Sequence, residues 1–281
     1  MKRPYLILEV GINHGGSFIE AKKIINHACR TNADAIKLQY FKPEDLYRIG
    51  SKNFESVKKL QLSDNHFLKL RKIVKKKKKD FGCSIFSFEG FNFVKKKLKT
   101  DFVKIASMDN NNFPLLKHVS KFNKKIIISL GMISSSELIK LRKMFKKNTK
   151  VSFLHCISNY PSKLNELNLI NIKTLSSKLK HNIGYSDHSI GIDAIKTAYN
   201  LGATIIEKHF TDNKKKVGLD HSISADPKDI SDFYKYLCRE EIMAGKDIYK
   251  KNSLRPDHKN IKNFRRTVNS SIKNKKFKVR K

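Results

Sequence analysis

Eight short apolar, β-branched runs alternate with helical stretches along this chain, and nearly every run ends in residues able to do chemistry. YLILEV ends at Glu9, and DAIKLQ carries Lys37 and Gln39. DFGCSIFS carries Ser84, DFVKIAS carries Lys104 and Ser107, and KKIIISL carries Ser129. VSFLHC carries His155, NIGYSDH ends in Ser186, Asp187 and His188, and ATIIEKH ends in Glu207, Lys208 and His209. Runs of this length, spaced by helical patterns, predict an α/β fold, the (β/α)8 or TIM barrel. That fold places an active site at the C-terminal ends of its strands, where these side chains fall.

The 281 residues suit one such barrel of about 250 residues. We read residues 1–250 as the barrel and 251–281 as a basic tail or linker, because FRRTVNSSIKNKKFKVRK is too poor in apolar residues to build a core. No apolar run approaches the roughly 20 residues that cross a membrane. The N-terminal apolar stretch is short, contains Glu9 and lacks a small-residue cleavage site. These features predict a cytoplasmic protein without a membrane partner. Cys29, Cys83, Cys156 and Cys238 are scattered, with no C-x-x-C pair, and are expected to be reduced thiols. The net charge of +35 suggests nucleic acid at first sight. The cations, however, are mostly Lys spread over predicted helix faces, and no recognised binding motif accompanies them. A solvated lysine surface that steers anions is the better reading, with no specific nucleic-acid partner.

Local signals place the helices. Ser17 with Glu20 matches a capping box before a helix whose Ala21, Ile24, Ile25 and Ala28 share a face. Ser134 or Ser135 caps the helix after the fifth run, and a last helix runs from about Pro227 to Ala244. The long connection from Tyr40 to Leu62 reads as a functional loop or lid.

At the expected rim, His188 and His209 lie at the ends of neighbouring strands and form a candidate pair of metal ligands. Imidazoles suit a borderline divalent ion, and two protein ligands leave positions for water and substrate. Lys37 and Lys104 sit inside apolar strands, where a lysine requires an anionic partner. With hydroxyls from Ser84, Ser107, Ser129 and Ser186 they would cradle a phosphate and a carboxylate. The structural alternative pairs them with Glu9, Asp109 or Glu207. Glu9, Asp187 and Glu207 are candidates for acid, base or orienting roles. Gln39 is a candidate substrate contact, and Asn13 and His14 in the first loop are consistent with further ones.

Read in order, EVGINHGGS (9–17), ADAIKLQ (33–39), FGCSIFSFE (81–89), KIASMDNNNFPLL (104–116), IISLGM (127–132), LHCISNYP (154–161), IGYSDHS (183–189), EKHFT (207–211) and GLDHSISADP (218–227) resemble the N-acetylneuraminate (sialic acid) synthase family. That family includes legionaminic and pseudaminic acid synthases and spore-coat polysaccharide relatives. The resemblance implies a metal-dependent condensation of phosphoenolpyruvate with an open-chain N-acylated amino-sugar aldehyde, giving a nine-carbon 2-keto acid and phosphate. It implies His188 and His209 as ligands of a divalent metal, Mn²⁺ first, then Mg²⁺ or Co²⁺. It implies Lys37, Ser84, Lys104, Ser107, Ser129, Ser158 and Ser186 around phosphoenolpyruvate, and Glu9 in acid–base chemistry. Asp109, Tyr160, Glu207 and Asp220 would face the sugar or the metal.

This chain departs from the family pattern in having Ser84 for a Thr, Leu130 in a usual S-T-G-M, Ser158 for an Asn and Asp109 for a Glu. After Arg265-Arg266-Thr267 the sequence stops at Lys281, without the antifreeze-like domain that caps a partner's barrel. A homodimer or a separately encoded lid protein is the partner this suggests. The competing readings are a ligand-binding barrel of low activity acting as a regulatory subunit, and a related phosphoenolpyruvate-dependent aldose synthase.

Overall fold

A computed structural model describes residues 3–146, 150–218 and 220–245. The chain divides into two units, Met1–Arg239 and Glu240–Lys281, and the barrel is the first. The tail read from residue 251 onward lies outside the described residues.

The strands are β1 (Tyr5–Gly11), β2 (Ala35–Gln39), β3 (Asp80–Ile85), β4 (Phe102–Ile105), β5 (Lys125–Ser129), β6 (Val151–Cys156), β7 (Asn182–Asp187) and β8 (Ile205–His209). They form a closed barrel in sequence order, every pair parallel, with β8 returning to β1. The helices are α1 (Phe18–Cys29), α2 (Pro43–Leu46), α3 (Lys52–Lys58), α4 (Asp64–Lys76), α5 (Phe88–Lys96), α6 (Phe113–Val119), α7 (Ser135–Phe145), α8 (Asn171–Leu179), α9 (Asp193–Asn200) and α10 (Pro227–Ala244). The long connection after β2 is therefore not structureless, since it carries α2 and α3. Among the described residues no helix is long and apolar enough to cross a membrane.

Successive side chains of a strand point to opposite faces, so each strand feeds two cores. One face packs outward against the helices, with Leu8, Ile36, Cys83, Val103, Ile128, Phe153, Tyr185 and Ile206 in the larger core. The other fills the lumen, where Ile7, Ala35, Phe102, Ile127, Leu154 and Ile205 form an apolar plug. Gly82 and Gly184 make the plug possible. A Cβ on Gly82 would lie 2.1 Å from the Phe102 ring, and one on Gly184 2.4 Å from the Ile205 carbonyl. One inward position further along, seven of the eight strands turn polar, with Glu9, Lys37, Ser84, Lys104, Ser129, Ser186 and Glu207, and β6 supplies Cys156. The plug closes the site from below, so substrate can enter only from the C-terminal mouth.

Helix starts follow the expected capping chemistry, with one difference. The Ser134 hydroxyl accepts from the Glu137 amide while the Glu137 carboxylate accepts from the Ser134 amide, a complete capping box. At α1 the Ser17 hydroxyl accepts from the Glu20 amide, but the Glu20 carboxylate turns to Lys216 Nζ at 2.6 Å. A charged partner from the β8 connection wins over the local amide, and half the expected box remains.

Candidate active site

The polar layer opens into a cavity of about 250 Å³, lined by Glu9, Lys37, Gln39, Ser84, Lys104, Ser107, Ser129, Cys156, Ser158, Tyr160, Ser186, His188, Glu207 and His209, with Met108 and Met132 at its mouth. All but three of the expected site residues are brought together there. The exceptions are aspartates.

Asp187 does not enter the site. It follows the inward Ser186 by one residue, so the strand turns it outward, where its carboxylate accepts from Lys208 Nζ at 2.7 Å, the Tyr185 hydroxyl and the Ser189 amide. Its expected catalytic role is corrected to a structural one: the Asp187–Lys208 pair ties the end of β7 to β8 beneath His188 and His209. Both side chains are fully buried. Removing one partner from such a pair costs about 3–5 kcal/mol, because the other charge is stranded. Lys208→Met and Asp187→Asn should each lower the denaturant midpoint strongly, and the double variant should recover part of the loss. Asp109 and Asp220 stand just outside the lining. Asp220 Oδ2 lies 3.4 Å from His209 Nδ1. Asp109 is half-buried in the turn after β4, and burial together with nearby Asp45 raises its pKa against the opposing Asn112 amide.

The two lysines and two glutamates form one network. Lys37 Nζ lies 2.9 Å from Glu9 Oε2 and 3.2 Å from Glu207 Oε2 as an ion pair with each, and donates to Ser84 Oγ at 3.0 Å. Lys104 spends one donor, on Glu207 Oε1 at 2.9 Å, and among the described residues keeps two for an incoming anion. The structural pairing expected of these lysines is present with Glu9 and Glu207, and Asp109 takes no part in it. Burial alone would push the Glu9 carboxyl up, but Lys37, His209 and Lys104 outweigh it and hold Glu9 well below the ordinary range. Glu207 is lowered in the same way, with Lys104 and Lys37 overcoming burial. Gln39 Nε2 donates to Glu9 at 2.8 Å and Ser186 Oγ to Glu207 at 2.9 Å, fixing both carboxylates. Among the described residues Ser129 Oγ is buried without a hydrogen-bond partner, an orphan that a ligand oxygen would satisfy.

The His188 and His209 rings are 5.6 Å apart, and the Tyr160 ring covers His188 at 4.2 Å. His188 Nδ1 lies 2.9 Å from the Ile157 carbonyl. A carbonyl only accepts, so Nδ1 carries the proton and Nε2 keeps its lone pair, the usual way a ligating imidazole is oriented. Burial lowers the His209 pKa against the pull of Glu9 and Asp220, which favours the neutral imidazole a metal requires. Its Nδ1 makes no hydrogen bond among the described residues, with Asp220 Oδ2 3.4 Å away. Among the described residues no group of three or more His, Cys, Asp or Glu is arranged to hold a metal, and His188 and His209 are the imidazoles at the mouth that could contribute to one.

Two contributors were not foreseen in the sequence. Cys156 faces the lumen, with Sγ 3.6 Å from Ser107 Oγ and 3.8 Å from His188 Nδ1. Burial raises its pKa, but the His188 and Ser107 contacts bring it below the ordinary value. Asn110 is buried, and its Nδ2 donates to the carbonyls of Ser129 at 3.2 Å and Gly131 at 2.8 Å. It thereby clamps the turn after β5 against the turn after β4. Space at that clamp is tight, since a Cβ on Gly131 would lie 2.3 Å from Ser158 Oγ. Conversely, Asn13 and His14 serve the fold. Asn13 Nδ2 donates to the Phe210 carbonyl and Ser224 Oγ, and His14 Nδ1 accepts from the Gly16 amide.

A model of the NeuB family matches residues 24–249. The chain belongs to the NeuB family. It is 35% identical to the N,N'-diacetyllegionaminic acid synthase of Campylobacter jejuni over 289 residues, covering 95% of this chain and 85% of that one. It is 36% identical to an uncharacterized protein of Methanocaldococcus jannaschii over 243 residues, 86% of this chain and 72% of that one. Among solved structures, an N-acetylneuraminic acid (sialic acid) synthetase from Leptospira borgpetersenii superimposes with a TM-score of 0.85 at 32% identity, covering 95% of this chain and 94% of that one. The NeuB assignment agrees with the ordered motifs, each of which meets the barrel at or next to the mouth.

Proposed function

We propose that this NeuB-family barrel condenses phosphoenolpyruvate with an N-acylated amino-sugar aldehyde, yielding a sialic-type 2-keto acid and phosphate. The observation that carries the reading is the pairing, above one apolar plug, of an anion cradle around Lys104 with two metal-competent imidazoles. An anion binder alone would not need His188 and His209 oriented at its edge.

The cradle holds the phosphate and carboxylate through Lys104, Ser84, Ser107, Ser129, Ser158 and Ser186, in a site closed to water from below. Fixing both reactants at the base of one pocket supplies a large share of the rate by proximity. C3 of the enol attacks the aldehyde carbon, and positive character develops at C2. Glu9 remains ionised beside Lys37, so it is placed to stabilise that charge and to take a proton from the water that adds at C2. The resulting tetrahedral carbon expels phosphate by breaking its bond to the bridging oxygen, leaving the ketone. Lys37 and Lys104 offset the negative charge that the leaving phosphate gathers. His188 and His209 would hold a divalent ion such as Mn²⁺, Mg²⁺ or Co²⁺, which when bound supplies Lewis acidity toward the aldehyde oxygen.

Purified protein with Mn²⁺, phosphoenolpyruvate and a panel of N-acylated mannosamine-type sugars should release phosphate only when all three are present. Release that ignores the sugar would sink the reading. Asn110→Ala should raise KM for phosphoenolpyruvate about tenfold or more, since it frees two carbonyls that shape the cradle and each costs about 1–3 kcal/mol unsatisfied. Mn²⁺ affinity should stay unchanged, as measured by calorimetry.

A further inference from the structure

The face of the barrel opposite the mouth carries a second cavity, and strand parity explains its chemistry. Counting back two residues from the plug gives Tyr5 on β1, Asp80 on β3, Lys125 on β5, Ser152 on β6 and Asn182 on β7. These positions share the inward face, so a second polar layer lies below the plug. It opens on a cavity of about 630 Å³, whose wall includes Lys125, Ser152 and Asn182, the exposed Arg3, and the apolar Pro4 and Ile205. That volume suits a small organic ligand. The plug around Ile7, Phe102 and Ile127 separates it from the active site.

Lys125 is the residue that the fold does not use up. It is half-buried, and its Nζ lies 3.5 Å from the centroid of the Tyr5 ring. Among the described residues it has no ion pair, because each carboxylate that acts on it is held elsewhere. Asp34 accepts from Arg3 at 2.5 Å and from the Leu6 amide at 2.8 Å. Asp80 accepts from the Tyr5 hydroxyl at 2.5 Å, and Asp101 from Lys75 at 2.8 Å and the Phe81 amide at 2.9 Å. Burial lowers the Lys125 pKa against the pull of these three aspartates. A lysine so placed ordinarily has an anionic partner.

The surroundings favour an anion. Helices α4, α5, α6, α7 and α8 each carry Lys or Arg in the last turn, and in a (β/α)8 barrel those turns surround this face. Complementing the helix dipoles explains these surface cations without a ligand, although they also raise the local positive potential. It does not explain Lys125, which begins a strand and points into the barrel.

We propose that this floor cavity is a second ligand site that takes a small organic anion, with its carboxylate or phosphoryl group on Lys125 and its uncharged body against Pro4 and Ile205. The assignment is independent of what the mouth catalyses.

Crystals soaked separately in 4-bromobenzoate, 4-bromophenyl phosphate and 4-bromobenzyl alcohol locate the bromine by its anomalous scattering. At least one anion should occupy the floor with its charged group on Lys125, and the better occupied of the two names the group the site prefers. The neutral alcohol should leave the floor empty. In solution the Ile205 methyl resonance reports binding at the floor alone, at about 0.15 M salt so that the surface lysines contribute little. Lys125→Met should raise Kd for the preferred anion at least about tenfold, the worth of one charged hydrogen bond, while Lys104→Met at the mouth leaves it unchanged. Lys125→Met strands no paired carboxylate, so its denaturant midpoint should stay close to the parent's. Bromine found only at the mouth, or nowhere, overturns the proposal. So does an alcohol that binds as well as the anions, or a Lys125→Met variant with the parent's Kd.

Discussion

Lys37→Met is expected to cost both the fold and the chemistry. Lys37 is the one cation bonded to both buried carboxylates, Glu9 and Glu207, among the described residues. Without it Glu9 keeps only the Gln39 amide and the more distant His209, 3.7 Å away. Stranding a buried charge in this way costs about 3–5 kcal/mol, a large part of a domain's stability. Denaturant curves at neutral pH should show the loss, and kcat/KM should fall at least about 100-fold, as when one preorganised donor is removed. Lys104→Met serves as the contrast. Glu207 retains Ser186 and Lys37, so stability should fall less while phosphoenolpyruvate affinity falls at least as much. The pH dependence has a definite sign. Glu9 and Glu207 have pKa values depressed below the ordinary 4.5, so their stabilisation is present above that value and is lost as pH falls below it. Lys37→Met removes the main cause of the depression at Glu9, and its acid unfolding should begin at higher pH than in the parent protein.

His209→Ala has the second large effect. Loss of groups that merely orient a metal ligand already costs about 10–100-fold in metal affinity, and losing one of two ligands should exceed that. Mn²⁺ binding followed by electron paramagnetic resonance should weaken beyond the measurable range, with the sugar-dependent turnover lost in parallel. Phosphoenolpyruvate should still bind, because the cradle proposed for it lies around Lys104. Full metal affinity in His209→Ala would contradict the ligand assignment.

The fold was legible because alternation is a strong signal. In seven of the eight runs the residue two before the chemical one is an apolar or glycine residue of the lumen, as in Ile7 before Glu9, Ala35 before Lys37, Gly82 before Ser84, Phe102 before Lys104 and Ile205 before Glu207, while His155 follows the outward Phe153. That spacing puts the plug and the polar layer on the same face. Applied strictly, it also separates what proximity in sequence merges. Ser186 and Asp187 are neighbours in the chain but face opposite sides, and the same holds for Glu207 and Lys208. Its neighbours make Asp187 look like a site residue, although its parity points outward. The parity rule also finds Cys156, which follows Leu154 by two. Asn110 carries no such signal. One Asn among three in a turn looks like a solvated loop residue, and only the folded turns show that its amide reaches two carbonyls across from it.

The most direct measurement follows the bridging oxygen. Phosphoenolpyruvate labelled there with heavy oxygen is turned over with the accepted sugar, and the released phosphate is read by the isotope shift in its phosphorus resonance. The label should leave with the phosphate, because water adds at C2 and the carbon–oxygen bond breaks. Unlabelled phosphate would place the cleavage at phosphorus and contradict water addition at C2 beside Glu9 and the two lysines.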